Sequence, residues 1–335
     1  MATLKEIARA AGVSTATVSN VINGNYKRVS EETVAQIQAL IRQAGYVPNQ
    51  AARSLAQRES RFIAIIVQAS PDENIFLNPY NATYVGALIV NLYKKGYYPL
   101  IRFTDDFGAV EQDIRGWNVA GALFNGSYSR YLENLESLAF IPSVFTDCYF
   151  DLPGVNHVRL DDEAGGRIAG DYLYRMGHRR AAFVAMALED SDVDKRRLVG
   201  FRDALGRHGL TVPDQWVFPS ADFEAQRERL TALLGSPDGP TTFFCSADQI
   251  ALHLIDFMRS VGLSVPGDIS VMGFDNLPMA SVSVPKLTTV AQDIDQKAML
   301  SVEMLVRHIQ NKDLTPEKVI LGVSLVERES VRRLG

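Results

Sequence analysis

Cysteine is scarce in this 335-residue chain. The two cysteines, Cys148 and Cys245, lie far apart and form no CxxC pair, and the five histidines are scattered. A disulfide framework needs several cysteines, and a zinc site needs Cys or His ligands at short, regular spacings. We therefore predict that the chain holds no metal and that both cysteines are small buried hydrophobic side chains.

Long apolar runs and an export signal are also missing. The N-terminal stretch MATLKEIARAAGVS has no continuous apolar core of the kind found in signal peptides. No later apolar run reaches the roughly 18 residues needed to span a bilayer. We expect a cytoplasmic protein that has no membrane partner.

The motifs of several common enzyme classes are absent. A dinucleotide-binding enzyme carries a GxGxxG turn after its first strand, but the stretch FIAIIVQASPDEN has none. We also find neither a GxSxG elbow nor a P-loop. These absences argue against a dinucleotide-dependent enzyme, and we expect no catalytic residues and no cofactor. A periplasmic transport receptor would need the export signal that the sequence lacks.

Length and charge point to at least two folding units. A chain of 335 residues is longer than one core usually allows, and its 47% apolar and 22% charged residues favour packed, globular units. Residues 1–58 contain seven Lys or Arg against three Asp or Glu, whereas the remainder contains 27 against 36. A mildly basic head on an acidic body is compatible with nucleic-acid contact, although this signal alone is weak.

The first 46 residues have the pattern of three short helices around one small core. Thr3 and Glu6 have capping-box spacing, and apolar residues recur behind them at helical intervals until Gly12. Ser14 is placed to cap a second helix, and Ser30 a third, which Gly45 ends. The very short turn between the first two helices predicts a helix-turn-helix headpiece.

The second of these helices has an unusual outer face of small hydroxyl, amide and methyl groups. It consists of Thr15, Ala16, Thr17, Ser19, Asn20 and Asn23. An ordinary solvated helix carries long Glu and Lys side chains instead, whereas small groups permit close approach to the major groove of DNA. A three-helix protein-interaction module is the alternative that the pattern leaves open.

Two stretches, TLKEIARAAGVSTATVSNVING and RVSEETVAQIQALIRQAGYVPNQAARSLA, resemble the headpiece and hinge of the lactose/galactose repressor family. The resemblance covers essentially the whole chain and implies a sequence-specific DNA-binding transcription regulator. The most natural role is that of a repressor whose operator affinity is controlled by a small-molecule effector, with a sugar or sugar derivative favoured. Sequence alone does not distinguish an inducer from a corepressor.

The resemblance also assigns DNA contacts by position. Base contacts fall on Thr15, Ala16 and Asn20, and a further groove contact falls on Arg28. Phosphate contacts fall on Leu4 through its backbone, Ser14, Thr17, Ser19, Asn23 and Ser30. Family members often carry Arg or His where this chain has Asn20, and this departure affects which operator is recognised.

Residues 47–59 are interpreted as a hinge. The stretch PNQAARSLAQ has Pro at a plausible helix start but little apolar surface, so a helix this short is marginal on its own. The resemblance implies that two such helices pair in the minor groove and that Leu55 inserts between central base steps. A plain flexible linker is the alternative.

From residue 60 onward, short β-branched runs alternate with helical patterns, which predicts parallel βαβ units. The resemblance divides them into two subdomains, giving a fold of the α/β class: an all-α headpiece followed by a doubly wound domain of periplasmic-binding-protein type. We expect effector binding and dimerisation in residues 60–335, with crossovers near residues 161, 290 and 321. The N-subdomain then covers about 60–161 and 290–320, and the C-subdomain about 162–289 and 321–335.

Acidic residues stand at the ends of several predicted strands, where open parallel sheets bind their ligands. These are Asp147, Asp161, Asp248 and Asp275. A carboxylate at a strand end can instead cap the following helix, and for Asp162 and Asp248 that alternative is at least as strong. For Asp147 and Asp275 the resemblance favours effector binding.

Further effector contacts follow from the resemblance alone. They fall on Tyr80, Asn81, Ser191, Arg197, Phe223 and Gln292, while Ala247 replaces an Asn found in many relatives. Arg197 and Asp275 together suit the hydroxyls of a sugar-sized ligand, and Tyr80 or Phe223 suits its apolar face. Internal pairing of Arg197 with an acidic residue is the alternative.

A homodimer is expected because one headpiece contacts only half of a pseudo-palindromic operator. Apolar residues on helices of the larger domain, such as Leu252, are candidates for the interface. The chain ends in SLVERESVRRLG without a heptad tail, which favours a dimer over the zipper-linked tetramer of some relatives.

Overall fold

The computed structural model describes residues 3–22, 24–46, 60–70, 72, 74–126, 138, 140–149 and 154–335. The chain divides into two compact units, Met1–Ser60 and Arg61–Gly335. We call the first the headpiece and the second the α/β unit. The predicted hinge at residues 47–59, with Leu55, and the predicted DNA contact Asn23 lie outside the described residues.

The headpiece consists of α1 (Leu4–Ala11), α2 (Thr15–Ile22) and α3 (Glu31–Gln43). Thr3 and Glu6 form the predicted capping box, and Gly12 takes the left-handed conformation (φ 67°) that ends α1. The three helices bury one small core, formed by Ile7, Ala8, Ala11, Val18, Val21 and Ile37. The predicted three-helix arrangement is confirmed.

The first sheet of the α/β unit has six strands in the order β11-β5-β4-β3-β1-β2, with every pair parallel. Its strands are β1 (Phe62–Gln68), β2 (Tyr98–Thr104), β3 (Gly121–Asn125), β4 (Ser143–Thr146), β5 (Asn156–Leu160) and β11 (Lys318–Leu321). The central strands β1 and β3 are almost wholly buried and apolar, as expected for a parallel sheet covered on both faces.

The second sheet also has six strands, in the order β12-β10-β9-β8-β6-β7. They are β6 (Ala181–Val184), β7 (Val217–Phe218), β8 (Thr242–Cys245), β9 (Ser270–Asp275), β10 (Thr288–Ala291) and β12 (Ser324–Val326). All pairs are parallel except β10 with the edge strand β12, which run antiparallel. The two sheets confirm the predicted doubly wound fold.

Eight α-helices are described in the α/β unit. They are α4 (Pro79–Lys94), α5 (Phe107–Trp117), α6 (Asp162–Arg175), α7 (Asp192–Arg207), α8 (Arg227–Leu234), α9 (Asp248–Ser260), α10 (Pro278–Val282) and α11 (Ile294–Gln310). Helix α7 begins at Asp192, because Ser191 accepts a hydrogen bond from the Asp194 amide and so caps the helix.

Three chain segments join the two sheets. The first follows β5, which ends at Leu160, and the second follows β10, which ends at Ala291. The third runs from β11 to β12, between Leu321 and Ser324. Helix α6 packs in the core of the second sheet, whereas α11 packs in the core of the first. No described helix is both long and apolar enough to cross a membrane.

Helices α6 and α7 approach each other closely at two glycines. A Cβ atom added at Gly166 would lie 2.1 Å from the backbone oxygen of Arg197, and one at Gly200 would lie 1.9 Å from that of Glu163. Both contacts are with backbone, so neither can be relieved by a side-chain rotation. The glycines therefore set the distance between the helix that carries Asp162 and the helix that carries Arg197.

We predict that Gly200→Ala destabilises the α/β unit by about 3 kcal/mol, because the added methyl forces α6 and α7 apart. Urea unfolding monitored by circular dichroism measures the change. The control is Gly206→Ala on the same helix, where an added Cβ meets no atom within 4 Å. That variant should be neutral or more stable by up to about 1 kcal/mol. Equal stability of the two variants would contradict the proposed close approach.

Candidate functional site

The exposed end of α2 is the first candidate site. Ser14 Oγ accepts a hydrogen bond from the Thr17 amide (3.1 Å) and lies 2.9 Å from Thr17 Oγ1. Ser14, Thr15 and Ala16 are exposed, whereas Val18 and Val21 on the opposite face are buried. The first turn of α2 therefore presents small side chains together with the positive end of a helix dipole, an arrangement that suits phosphate.

The other predicted DNA contacts in the described part of the headpiece lie around this turn. Arg28 is exposed on the segment between α2 and α3, and Ser30 begins α3 by accepting a hydrogen bond from the Thr33 amide (3.3 Å). Four further predicted contacts are half-buried: Leu4, Thr17, Ser19 and Asn20. Their roles remain predictions from the sequence.

The second candidate site lies at the carboxyl ends of the strands in the α/β unit. On the first sheet, Asp147 follows β4 in a left-handed conformation (φ 61°). Its carboxylate accepts a hydrogen bond from Tyr80 Oη (3.0 Å) and one from Lys297 Nζ. Lys297 also donates to Tyr80 Oη (2.7 Å). We call Tyr80, Asp147 and Lys297 the first cluster.

Lys297 was not predicted as a site residue, although the sequence contained a signal for it. It occupies the buried face of α11 together with Ile294, Ala298, Ser301 and Val302. A charged residue at an apolar position of an amphipathic helix needs a partner in the interior. Asp147 is that partner, but it lies 150 residues away in the chain, and no local pattern identifies it.

Arg197 is the centre of a second cluster on the second sheet. It is 5% exposed; its Nε donates to Asp162 Oδ1 (2.7 Å) and its Nη1 to the Ser246 carbonyl. Its guanidinium lies 3.4 Å from the centroid of the Phe274 ring, and Nη1 is 3.8 Å from Asp275 Oδ1. The internal pairing left open by the sequence is therefore present, alongside the approach to Asp275.

Asp275 and Gln292 complete the second cluster. Gln292 Nε2 donates to Asp275 Oδ1 (2.6 Å), and Asp275 has a positive φ of 117°. Burial raises the pKa of Asp275 to about 8, although Arg197 opposes the shift. Within the described residues, Gln292 Oε1 and the buried Ser246 Oγ have no hydrogen-bond partner. Both atoms are candidates for contact with a ligand, and sequence reasoning missed Ser246.

The helix-capping interpretation of Asp248 is wrong, because Ala247 is the N-cap residue of α9 and no side chain caps that helix. Its carboxylate accepts hydrogen bonds from the Leu277 amide (2.8 Å) and from Thr289 Oγ1 (2.6 Å). Burial raises the pKa of Asp248 to about 7. The residue ties α9 to β10 and to the loop that follows Asp275, and so it supports the second cluster.

The remaining predicted effector residues have structural partners. Asp161 caps α6 by accepting from the Ala164 amide (2.9 Å), and Ser191 caps α7. Asn81 Oδ1 accepts from Asn125 Nδ2 (3.3 Å), next to the first cluster. Phe223 is buried, with its ring centroid 5.9 Å from that of Phe257. Their contact with an effector stays a prediction.

The two clusters lie within electrostatic reach of each other. The Asp275 carboxylate adds to the rise in the pKa of Tyr80, after the larger effects of burial, Asp147 and Tyr84. Lys297 partly opposes the rise in the pKa of Asp275 that burial causes. Tyr149, two residues after Asp147, donates a hydrogen bond to Asp162, the partner of Arg197. We call the space between the two clusters the cleft.

A cavity of about 550 Å³ adjoins the second cluster. Gln292 lines it, together with Thr83 at the start of α4 and Asn276 after β9. This volume lies within the range of small-molecule sites, roughly 300–1,000 Å³. In the described ranges, no group of three or more His, Cys, Asp or Glu residues is placed to hold a metal ion.

Comparison with known proteins identifies both units. Residues 3–49 match the family model described as bacterial regulatory proteins, lacI family, and residues 171–331 match that of a periplasmic binding protein-like domain. The ribose operon repressor of Haemophilus influenzae is 31% identical over 339 residues, which cover 100% of both chains. The transcriptional repressor PurR of Proteus mirabilis is 33% identical over 99% of this chain and 97% of its own.

Solved structures agree with these matches. The lac repressor dimer bound to operator and the anti-inducer ONPF has a TM-score of 0.86 and 26% identity, covering 99% of both chains. A lacI-family regulator from Enterococcus faecium with bound ribose has a TM-score of 0.71 and 26% identity, covering 82% of this chain and 100% of that one. This chain therefore belongs to the lacI family. It is a DNA-binding transcription regulator and not an enzyme, as the sequence predicted.

Proposed function

We propose that this regulator is a repressor that binds a pseudo-palindromic operator as a homodimer. A sugar-like effector that enters the cleft either lowers or raises its affinity for the operator. Residues 1–46 recognise DNA, residues 47–59 form the hinge, and residues 60–335 bind the effector and dimerise. The observation that carries the proposal is the presence of two separate sites: the exposed first turn of α2 and the charged clusters of the cleft.

The first turn of α2 supports DNA recognition. Small side chains at Thr15 and Ala16 allow the helix axis to approach base edges in the major groove, while Ser14 and the free amides of the turn suit phosphate oxygens. Asn20, further along the helix, has the amide group that pairs well with adenine. Arg28 supplies a positive charge beside this surface. Phosphate contacts of this kind make affinity fall steeply with salt.

The cleft supports a small polar effector. Hydroxyl-rich ligands require several fixed acceptors and donors, and the two clusters supply carboxylates, an amide and a guanidinium. The relatives named above include a ribose operon repressor and a structure with bound ribose, which favour a sugar. PurR is a relative of similar identity, so nucleobases and nucleosides belong in the same screen.

The two clusters lie on different sheets of the α/β unit. Asp147 extends from the first sheet and Asp275 from the second, so an effector that bonds to both favours one relative position of the sheets. To change a population of 1:99 into 99:1, the effector must favour one state by about 5.5 kcal/mol.

Dimer formation follows from the operator symmetry and is favoured by the lac repressor dimer to which the chain is similar. Val282, the last residue of α10, is 77% exposed, and Val284, two residues later, is 81% exposed. The half-buried Leu252 lies on α9. Apolar side chains this exposed are candidates for an interface between subunits. Sedimentation equilibrium on the full chain measures the subunit number.

The test of the proposed function is a mobility shift with a duplex selected from a random library by the full chain. We expect binding that weakens with salt, prefers the selected duplex and changes when a neutral sugar or nucleobase is added. A native-state ligand also raises the melting temperature, which identifies it independently. Failure to bind any duplex at low salt, with or without these compounds, would overturn the proposal.

A further inference from the structure

Lys297 is a fully buried cation beneath the cleft. Its side chain is 0% exposed, while that of Asp147 is 11% exposed and Tyr80 is half-buried. Nζ bonds to both of these residues and also lies 5.4 Å and 5.1 Å from the ring centroids of Tyr80 and Tyr84. A ligand in the cleft therefore meets Asp147 and Tyr80, with Lys297 behind them.

The hydrogen bonds of the first cluster leave Asp147 and Tyr80 with acceptors only, while the third N–H of Lys297 is buried with its side chain. The single proton of Tyr80 Oη goes to Asp147 Oδ2, and Lys297 donates to Tyr80 Oη and to Asp147 Oδ1. A carboxylate and a phenol oxygen keep lone pairs beyond these bonds, whereas the phenol has no second proton to give. Any further polar partner of the Asp147 carboxylate or of Tyr80 Oη must therefore be a donor.

The pair of Lys297 and Asp147 also carries no net charge. A buried carboxylate without its cation would resist ionisation, and a buried cation without its carboxylate would attract an anion. Each charge is satisfied by the other. To pair with Lys297, a phosphate or carboxylate group on a ligand would have to displace Asp147. The Asp147 carboxylate would then be left unpaired.

We propose that Lys297 is a specificity-determining positioning residue, which fixes Asp147 and Tyr80 as a neutral acceptor surface and so selects effectors that present hydroxyl or N–H donors without a negative charge. This inference rests on the proposed function, because it concerns the ligand of the same cleft. It goes further by excluding sugar phosphates and nucleotides as effectors. The lysine acts through Asp147 and Tyr80 and does not itself touch the ligand.

The opposite side of the cleft is consistent with the same ligand class. Arg197 already donates to Asp162 and to the Ser246 carbonyl, so its charge is matched within the protein. Gln292 uses its amide nitrogen on Asp275 and leaves Oε1 as an acceptor. A donor on the effector satisfies Gln292 Oε1, whereas an anion has no unmatched cation in either cluster.

The experiment is calorimetric titration of the full chain with two matched pairs of probes: D-ribose with D-ribose 5-phosphate, and adenosine with adenosine 5′-monophosphate. We expect the wild type to bind at least one neutral probe about tenfold or more tightly than its phosphate. Preference for either phosphate over its neutral partner, or failure of both neutral probes to bind, would overturn the inference.

The variant Lys297→Met separates positioning from simple structural support. It should weaken binding of the neutral probe by about 10- to 100-fold, because Asp147 loses the bond that orients it. The double variant Lys297→Met/Asp147→Asn should bind equally weakly. Both variants should also lose the preference for the neutral probe over its phosphate, which a loss of stability alone would not change.

Two controls keep the result decisive. Lys95→Met removes an exposed lysine whose Nζ donates a hydrogen bond (3.2 Å) to Glu303, a residue of the helix α11 that also carries Lys297. This variant should leave the affinity for the neutral probe unchanged. If Lys297→Met does not fold, the double variant decides, because it buries no unpaired charge. Wild-type affinity together with an unchanged preference for the neutral probe in either variant would refute the role of Lys297. Failure of the wild type to bind DNA would instead refute the proposed function. The titrations with the neutral and phosphorylated probes would still test the role of Lys297.

Discussion

Arg197→Ala is expected to abolish effector binding and to destabilise the α/β unit by about 3–5 kcal/mol. Asp162, the partner of Arg197, has a side chain that is 0% exposed, so removal of the guanidinium leaves a carboxylate buried without a cation. Asp275 loses its neighbouring cation at the same time. The buried ion pair is therefore the physical reason why the fold as well as effector binding should suffer.

The measurement combines urea unfolding with titration of whichever neutral probe binds the wild type. Arg196→Ala is the matched control: Arg196 is the preceding residue, its side chain is 46% exposed, and it pairs with Glu163. An exposed pair contributes at most about 1 kcal/mol, so this variant should remain close to the wild type. The double variant Arg197→Ala/Asp162→Asn should recover much of the stability but no binding. Recovery of both would show that Arg197 serves the fold alone.

The sheets, the edge at which the clusters form and the headpiece could be predicted from the sequence. Alternating strand and helix patterns predicted the two parallel sheets, and the strand-end positions of Asp147 and Asp275 predicted the edge at which the clusters form. These features depend on local periodicity and on a general rule of sheet topology. The headpiece was equally accessible, because the caps at Thr3, Ser14 and Ser30 are local signals.

The partners of the buried charges could not be predicted in the same way. Lys297 and Asp147 are 150 residues apart, Arg197 and Asp162 are 35 apart, and Asp248 and Thr289 are 41 apart. Each pair depends on how the helices pack against the sheets, which no short pattern specifies. Sequence reasoning therefore located the carboxylates of the cleft and Arg197, but it missed Lys297 and did not identify which acidic residue pairs with either cation.

Ala16→Asp is expected to reduce operator affinity by about 100-fold or more while the headpiece remains folded. Ala16 is exposed in the first turn of α2, which contains no acidic residue. A carboxylate there interacts favourably with the helix dipole and should stabilise α2 by about 0.3–1 kcal/mol. The same carboxylate would face the phosphates and base edges of a bound duplex and would be repelled by them. Stability and affinity should therefore change in opposite directions.

Mobility shift with the selected duplex measures the affinity, and hydrogen exchange of the headpiece amides measures its stability. Ala39→Asp is the matched control, because it places the same charge on an exposed alanine of α3, outside the predicted contacts. It should lower affinity by less than about tenfold, the general effect of one added negative charge. Equal losses in the two variants would mean that DNA contact is not made by the first turn of α2. A loss confined to Ala16→Asp, in a headpiece at least as stable as the wild type, assigns DNA contact to that turn, because unfolding cannot account for it.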